Sequence, residues 1–540
     1  MAKIEIKKTE LVWKGKYDED GRLKPVEKPG PYPFQIVEVV NDPRIGKEVK
    51  PGETLGLYDY WKGEQPDTFE EGWRNKLIWG DNKMVMSSLL ENFAGKIDLI
   101  YIDPPFATGA DFTVDIPVGE SGESLHKEHS IIEEKAYRDT WGRGLDSFLQ
   151  MMYERLVLMK ELLSEKGSIY VHLDWRMSSY VRVILDEIFG QDNFIREIIW
   201  RMGWVSGYKT MAKNWIRNHD NILFYVKDPN NFTFNKKWIP YPPGYERWGG
   251  RPKGKGLAIE DVWGIFPGEG VNSLSVISFA KENLGFPTQK SEGLLDRIIE
   301  ASSNKGDLVA DFFCGSGTTC AVAEKLGRRW IGVDLSRYAI HTTRKRLLEI
   351  DKSKNLEDPK KPYGKKARPF EILNLGKYER QFWQVKAFGK KDEKEALYEY
   401  LAFILKLYEA EPISGSSHIH GKKGNAMVYI GAVDAPVTIQ EVIDALKDTR
   451  ELGMKELHVL GWEWEMGLND AIQEVAKDMG IRLKLRIIPM DVTDPQAVQK
   501  GDIRFFELAY FKADIKTSSR TSLLNWKILS FPIPISSPVK

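Results

Sequence analysis

Apolar residues along this chain change period several times, and each change marks an element. Leu77-Ile78-Trp79 is a short apolar run that ends at Gly80-Asp81-Asn82, after which Met84, Met86, Leu89 and Leu90 fall at helical spacing. The pattern predicts strand, acidic turn, helix. Ile97, Leu99, Ile100, Tyr101 and Ile102 are continuous enough for a strand buried on both faces, and it stops at Asp103-Pro104-Pro105-Phe106. Apolar positions from Phe148 to Leu163 then space a helix over 145–166, Gly167 ends it, and Ser168 to Leu173 reads as a strand closed by Asp174. His172 in that strand reads as a packed residue, and NILFYVK (221–227) as a strand hairpinned onto the same sheet. Further on come a helix over Gly293 to Ser302, a strand at Leu308-Val309-Ala310, a glycine turn, a helix from Ala321, and a strand from Trp330 to Val333 that ends at Asp334. Strands alternating with helices predict an α/β fold with a doubly wound sheet.

The flanks have a different texture. Residues 1–70, rich in proline, glycine and charge, read as an N-terminal arm, and the charged stretch 351–375 as a linker. Leu397, Tyr400, Leu401, Ile404 and Tyr408 line one stripe of a helix; AMVYIGAV, ELHVLGW and RLKLRIIP are strands separated by helical runs, so 376–515 is expected to be a smaller parallel α/β domain. Glu463 and Glu465 there read as surface residues at a strand end, and the histidines of SGSSHIHGKKG as part of a flexible loop, with metal binding as the alternative reading and no metal assigned. Residues 516–540 lose the pattern and read as a tail.

A length of 540 residues accommodates about three domains. No apolar run approaches a membrane span and the N-terminus carries no secretory pattern, so the expected compartment is the cytoplasm. The two cysteines, Cys314 and Cys320, exclude a disulfide framework. Net charge is zero, so nucleic-acid binding would need a local patch; residues 195–260 supply one, with twelve Lys or Arg against five Asp or Glu and twelve interleaved aromatics. A solvated basic face is the alternative reading of that stretch.

Two clusters carry candidate chemistry. Prolines 104 and 105 end a central strand stiffly, holding the Asp103 carboxylate, the Pro104 carbonyl and the Phe106 ring at the carboxyl edge where such sheets bind ligands. Acceptors beside an aromatic face suit a planar molecule with an exocyclic amino group, although an Asp-Pro turn alone reads the same. The second cluster, Asp311 to Thr319 (DFFCGSGTT), is a glycine turn with an acid, Asp334, about 20 residues on, placed to accept from ribose hydroxyls. The incomplete GxGxxG and the missing GK[ST] favour a nucleoside bearing an amino acid, S-adenosylmethionine, with its carboxylate near Thr288 and the turn. Asp81 could touch the same nucleoside or simply cap its helix.

GDN, DPPF, a basic aromatic insert, FPTQK and DFFCGSGTT, together with YERLVLMKELLSEKGSIYVHLD and LDEIFGQDNFIREIIW, resemble the β group of DNA amino-methyltransferases, including the modification subunits of type III restriction systems. The resemblance spans about 75–350 and includes the permuted order, with DPPF about 200 residues ahead of GSG. It implies a circularly permuted, mixed seven-stranded sheet over 71–228 and 285–350, with a target-recognition insert at 229–284. It also implies a catalytic group of Asp103, Pro104, Pro105 and Phe106, and a cofactor set of Asp81, Thr288, Gln289, Lys290, Asp311, Phe313, Gly315, Ser316, Gly317, Thr318 and Asp334. The implied activity is site-specific methylation of duplex DNA at N6 of a flipped-out adenine, with S-adenosylmethionine as cofactor. N4 of cytosine, or a subunit that reads DNA without catalysis, are the alternatives. A restriction subunit and a second copy of the chain are the further partners the resemblance allows. Phe312 and Ser291 stand where the family usually has proline.

Overall fold

The computed structural model describes residues 9–41, 68–69, 71–105, 114–118, 123–127, 145–201, 213, 215–241, 246, 250, 254–264, 282–286, 288–375, 393–413, 418–433, 436–462, 464, 468–489, 492, 498, 503, 505–507, 511–518 and 521–528. Phe106, Pro287, Glu463, Glu465 and, apart from a hairpin at 114–118 and 123–127, the loop at 107–140 lie outside them. The chain divides into two compact units, 1–129 with 133–375, and 130–132 with 376–540.

In the first unit, ten described strands form one sheet: β1 (Gln35–Val40), β2 (Asn75–Trp79), β3 (Ile97–Ile102), β4 (Leu163–Leu173), β5 (Phe194–Arg201), β6 (His219–Val226), β7 (Val262–Trp263), β8 (Leu308–Asp311), β9 (Arg329–Asp334) and β10 (Phe370–Asn374). Their order is β1-β10-β2-β9-β8-β3-β4-β6-β5-β7. From β10 to β4 every neighbour is parallel, and β6 runs antiparallel between β4 and β5. The seven expected strands are therefore the run from β2 to β5, and three further strands extend it at the edges. Two of these fall in stretches read as an arm and a linker: β1 pairs antiparallel with β10, and β10 pairs parallel with β2. Helices α1 (Asn82–Phe93), α2 (Leu145–Leu162), α3 (Ser178–Phe189), α4 (Glu292–Ser302), α5 (Thr318–Lys325) and α6 (Arg337–Leu348) cover this sheet.

Burial explains the strand at the centre. All six residues of β3 are buried, including Asp98, whose carboxylate accepts from the Ser164 hydroxyl (3.0 Å) and the Leu308 amide (2.9 Å). That bond also explains a difference from the helix expected over 145–166. Leu163 is buried opposite Ile97 and Ser164 is held by Asp98, so the chain turns from helix to strand at Leu163, ahead of Gly167. Tyr101 and His172 meet across β3 and β4 at 2.8 Å from Oη to Nδ1, while His172 Nε2 lies 3.5 Å from Asp220 Oδ2 on β6. His172 is thus a packed strand residue whose partners come from other strands.

Glu324 on α5 ties the outer strands on. Only 2% exposed, it accepts from Asn75 Nδ2 on β2 (3.1 Å), Trp330 Nε1 on β9 (3.0 Å) and Arg368 Nε just before β10 (2.9 Å). A buried carboxylate is tolerable when its lone pairs are filled in this way. Asp311, at the end of β8, is also buried; its oxygens take the Phe313 amide (3.0 Å) and the Thr319 hydroxyl (2.5 Å), and desolvation pushes its carboxyl up to about 7.

The second unit is a six-stranded sheet in sequential order: β11 (Glu411–Pro412), β12 (Gly421–Lys423), β13 (Ala426–Ile430), β14 (Glu456–Gly461), β15 (Arg482–Ile487) and β16 (Phe506–Glu507). β13, β14 and β15 are parallel, and the outer pairs antiparallel. Helices α7 (Glu393–Leu407), α8 (Ile439–Glu451) and α9 (Leu468–Asp478) belong to it, α8 starting in a capping box of Thr438 and Glu441. His420 Nδ1 accepts the Ile430 amide (2.9 Å), and no group of three metal-ligating side chains occurs among the described residues. Phe511–Ser518, which crosses the expected domain end at 515, pairs antiparallel with Thr521–Ile528 in the stretch read as a tail.

Two outcomes follow. Glu324→Leu leaves Arg368 without its carboxylate and should lower the stability of the first unit by about 3–5 kcal/mol, read as a lower urea midpoint. Asp311 has a folded pKa above its unfolded value, so its favourable contribution is complete below about 4 and is lost as pH rises to about 7. The stability difference between wild type and Asp311→Asn should therefore fall across that window; a difference flat with pH would contradict the buried placement.

Candidate active site

β3 and β8 are adjacent and parallel, with Leu99 opposite Val309 and Ile100 opposite Ala310. Asp103 and the turn after Asp311 therefore leave the sheet side by side, although 200 residues separate them. β9 brings Asp334 to the same edge, and β2 brings Asp81.

The glycine turn is built by backbone needs. Gly315 (φ +50°) and Gly317 (φ +71°) lie in the left-handed region, and a Cβ on Gly317 would come within 2.4 Å of Thr343 Cγ2. The Gly315 amide donates to Asp334 Oδ2 (2.8 Å), Asp334 Oδ1 takes the Ser336 amide (2.8 Å), and Thr343 Oγ1 donates to the Gly315 carbonyl (3.0 Å). Thr318 is a buried junction: its hydroxyl donates to the Lys290 carbonyl (3.1 Å) and receives Arg346 Nη1 (2.8 Å), while Arg346 Nη2 pairs with Glu292 (2.9 Å). Ser316 Oγ lies 3.3 Å from Thr318 Oγ1.

The anticipated residues divide by what their side chains touch. Asp103 follows β3 with one oxygen on Lys290; its Oδ1 is buried and has no hydrogen-bond partner among the described residues. Pro104 and Pro105 follow it, and Phe106 lies outside the described residues. Lys290 thus reaches Asp103, although it was grouped with the cofactor set. Gln289 is engaged in its own loop, donating to the Glu282 carbonyl (2.6 Å) and accepting the Leu284 amide (2.9 Å), whereas Thr288 is exposed. The side chain of Asp311 is turned inward and braces the turn, and Phe313 contributes the amide that Asp311 holds. Asp81 caps α1, accepting the amides of Lys83 (2.8 Å) and Met84 (3.2 Å), and pairs with Arg155 (3.1 Å). The helix cap anticipated for it is present.

Other residues at this edge escaped notice. Phe286 stacks on Tyr338 with centroids 5.6 Å apart and planes 7° from parallel, beside Gly315. Phe286 lies inside GFPTQK and Tyr338 four residues past Asp334, so motif position could have flagged both. Glu292 and Arg346 have no local sequence signal, because their pairing spans 54 residues. Trp175, 57% exposed, follows Asp174, whose carboxylate accepts from Arg176 Nε (2.6 Å).

This arrangement offers a carboxylate with one unfilled oxygen, next to a glycine turn with an acid and stacked rings. It can hold a donor group against a nucleoside-sized ligand. A family model described as DNA methylase matches residues 97–345, the span from β3 to α6. The type II methyltransferase M.EcaI of Enterobacter cloacae is 30% identical over 341 residues, covering 51% of this chain and 69% of its own length. DNA adenine methyltransferase YhdJ of Escherichia coli is 28% identical over 280 residues, covering 50% of this chain and 82% of its own. The Mod subunit of the type III restriction-modification enzyme StyLTI of Salmonella typhimurium is 24% identical over 332 residues, 45% of this chain and 49% of that one. The family model covers β3, β8 and β9, the strands that bring Asp103, the glycine turn and Asp334 to one edge, and the chain belongs to the DNA methylase family.

Proposed function

We propose that this chain methylates duplex DNA at N6 of adenine, at a specific sequence, as part of a restriction-modification system, with S-adenosylmethionine as cofactor. Membership of the DNA methylase family supports it, as does the likeness to a DNA adenine methyltransferase. The observation that carries it is the buried, unpartnered Oδ1 of Asp103. An acceptor left empty in a buried site costs about 1–3 kcal/mol, and an amino hydrogen of the target base removes that cost.

The residues present suit the cofactor. Asp334 and the turn from Gly315 to Thr318 would hold its nucleoside and amino-acid parts, with Phe286 and Tyr338 as the aromatic surface. When bound, S-adenosylmethionine supplies a methyl group on a sulfonium. A base amino group is inaccessible inside the duplex, so the nucleotide must be swung out to reach Asp103. Asp103 Oδ1 accepts one amino hydrogen and the Pro104 carbonyl the other, which localises the nitrogen lone pair towards the methyl. As the nitrogen gains its new bond and positive charge, the same carboxylate stabilises that charge and takes the departing proton. The acceptors would serve N4 of cytosine equally well; the likeness to an adenine-acting relative supports adenine.

Duplex DNA is the proposed substrate, with the basic, aromatic residues 195–260 and the insert 229–284 as its reading surface. By likeness to the type III Mod subunit, a restriction subunit is the proposed protein partner, and a second copy of the chain is a further one. No described helix is long and apolar enough to cross a membrane, and the cytoplasm is the proposed compartment.

Tritiated methyl should pass from S-adenosylmethionine to unmethylated DNA, and Asp103→Ala should lower kcat by about 10³-fold with DNA affinity retained. Digestion of the product should release N6-methyladenine; N4-methylcytosine instead would overturn the choice of base. Gly317→Ala must move either its own backbone or Thr343, and should weaken S-adenosylmethionine binding about tenfold in equilibrium dialysis.

A further inference from the structure

Lys290 precedes the N-cap of α4, Ser291, whose hydroxyl accepts the Leu294 amide (3.4 Å). Its carbonyl is held by Thr318, and Thr318 by Arg346, which is itself paired with the buried Glu292 two residues beyond Lys290. The backbone at 290 is therefore fixed from both sides. From there the side chain crosses to β3, and its ammonium pairs with Asp103 Oδ2; each side chain is 14% exposed. The opposite oxygen, Oδ1, is the buried acceptor with no partner.

A carboxylate at a strand end turns freely about its last torsion unless something holds it. With one oxygen on an ammonium and the other directed into the site, Asp103 presents a single acceptor in a single direction. The ammonium also compensates the buried negative charge before any base arrives, so the acceptor need not draw in water to be tolerated. We infer that Lys290 is a positioning residue for the methyl-accepting reaction, one that pins Asp103 Oδ2 so that Oδ1 receives the amino group, and is not a ligand of the cofactor. This rests on the methyltransferase reading and assigns a role to a side chain of the same site.

The test uses the full chain, unmethylated plasmid DNA and the variants Lys290→Met and Lys290→Arg. Lys290→Met should lower kcat about 100-fold while the affinity for S-adenosylmethionine stays within about twofold, and Lys290→Arg should recover most of the loss, because a guanidinium can hold the same oxygen. In an Asp103→Asn background Lys290→Met should cost almost nothing more. The inference is overturned if Lys290→Met weakens cofactor binding tenfold or more with kcat at saturating cofactor unchanged, or if the two substitutions multiply. A wild-type chain that transfers no methyl group overturns the functional reading instead. In that event a water-soluble carbodiimide still decides the pairing: it activates the Asp103 carboxylate, the Lys290 amine displaces the urea, and an amide forms with net loss of water. Mass spectrometry should find that 103–290 cross-link in the folded chain and not in the unfolded one; its absence from the folded chain refutes the pairing.

Discussion

The hydroxyl of Thr318 is the point at which the two halves of this site are tied. It donates to the carbonyl of Lys290 and receives a charged donor from Arg346. The glycine turn and the loop ahead of α4 consequently move as one piece, and through the Lys290 side chain that piece reaches the end of β3. Without this junction β3 and β8 would still be neighbours, but the groups at their ends would have no fixed spacing. Arg346 and Glu292 are buried together, and the Lys325 ammonium takes the other oxygen of the same carboxylate, so two cations share one anion. Removing Glu292 would leave both buried cations without their shared carboxylate.

Much of the sheet was legible in the chain because its central strands advertise themselves locally. IDLIYI before two prolines and LVAD before a glycine turn carry their own stop signals, so both the elements and the edge at which they end can be read directly. β1 and β10 carried weaker signals. The first lies in a stretch punctuated by proline and glycine, and the second follows a run of lysines, so composition pointed to an arm and a linker. What places β10 is Glu324, 44 residues earlier on another element, through its bonds to Arg368. Hydrogen bonds of that span leave no trace in a window of a dozen residues.

At the site the same division holds. Motif position located Asp103, Asp334 and the glycines, but it could not say which way a side chain turns. Asp311 belongs to the motif and faces inward, because Thr319, the second residue of α5, and an amide of its own turn fill its oxygens. Asp81 is occupied by its cap and by Arg155 on α2, a partner 74 residues away. Lys290 belongs to the FPTQK motif, and its pairing with Asp103 spans 187 residues, so no local signal points to it.

The reversal of β6 has a consequence for how the surface can vary. Because β6 runs against β4 and β5, the chain leaves the sheet after Arg201 and re-enters at His219 on the rim that carries Asp103. β7, parallel to β5, delivers the chain to that rim a second time after Trp263. Both excursions thus start where the chemistry is, with their anchoring strands kept in register by the ladder behind them. The anchoring strands are paired independently of what joins them, so the length and composition of either connection can vary while the rim that carries Asp103 keeps its register.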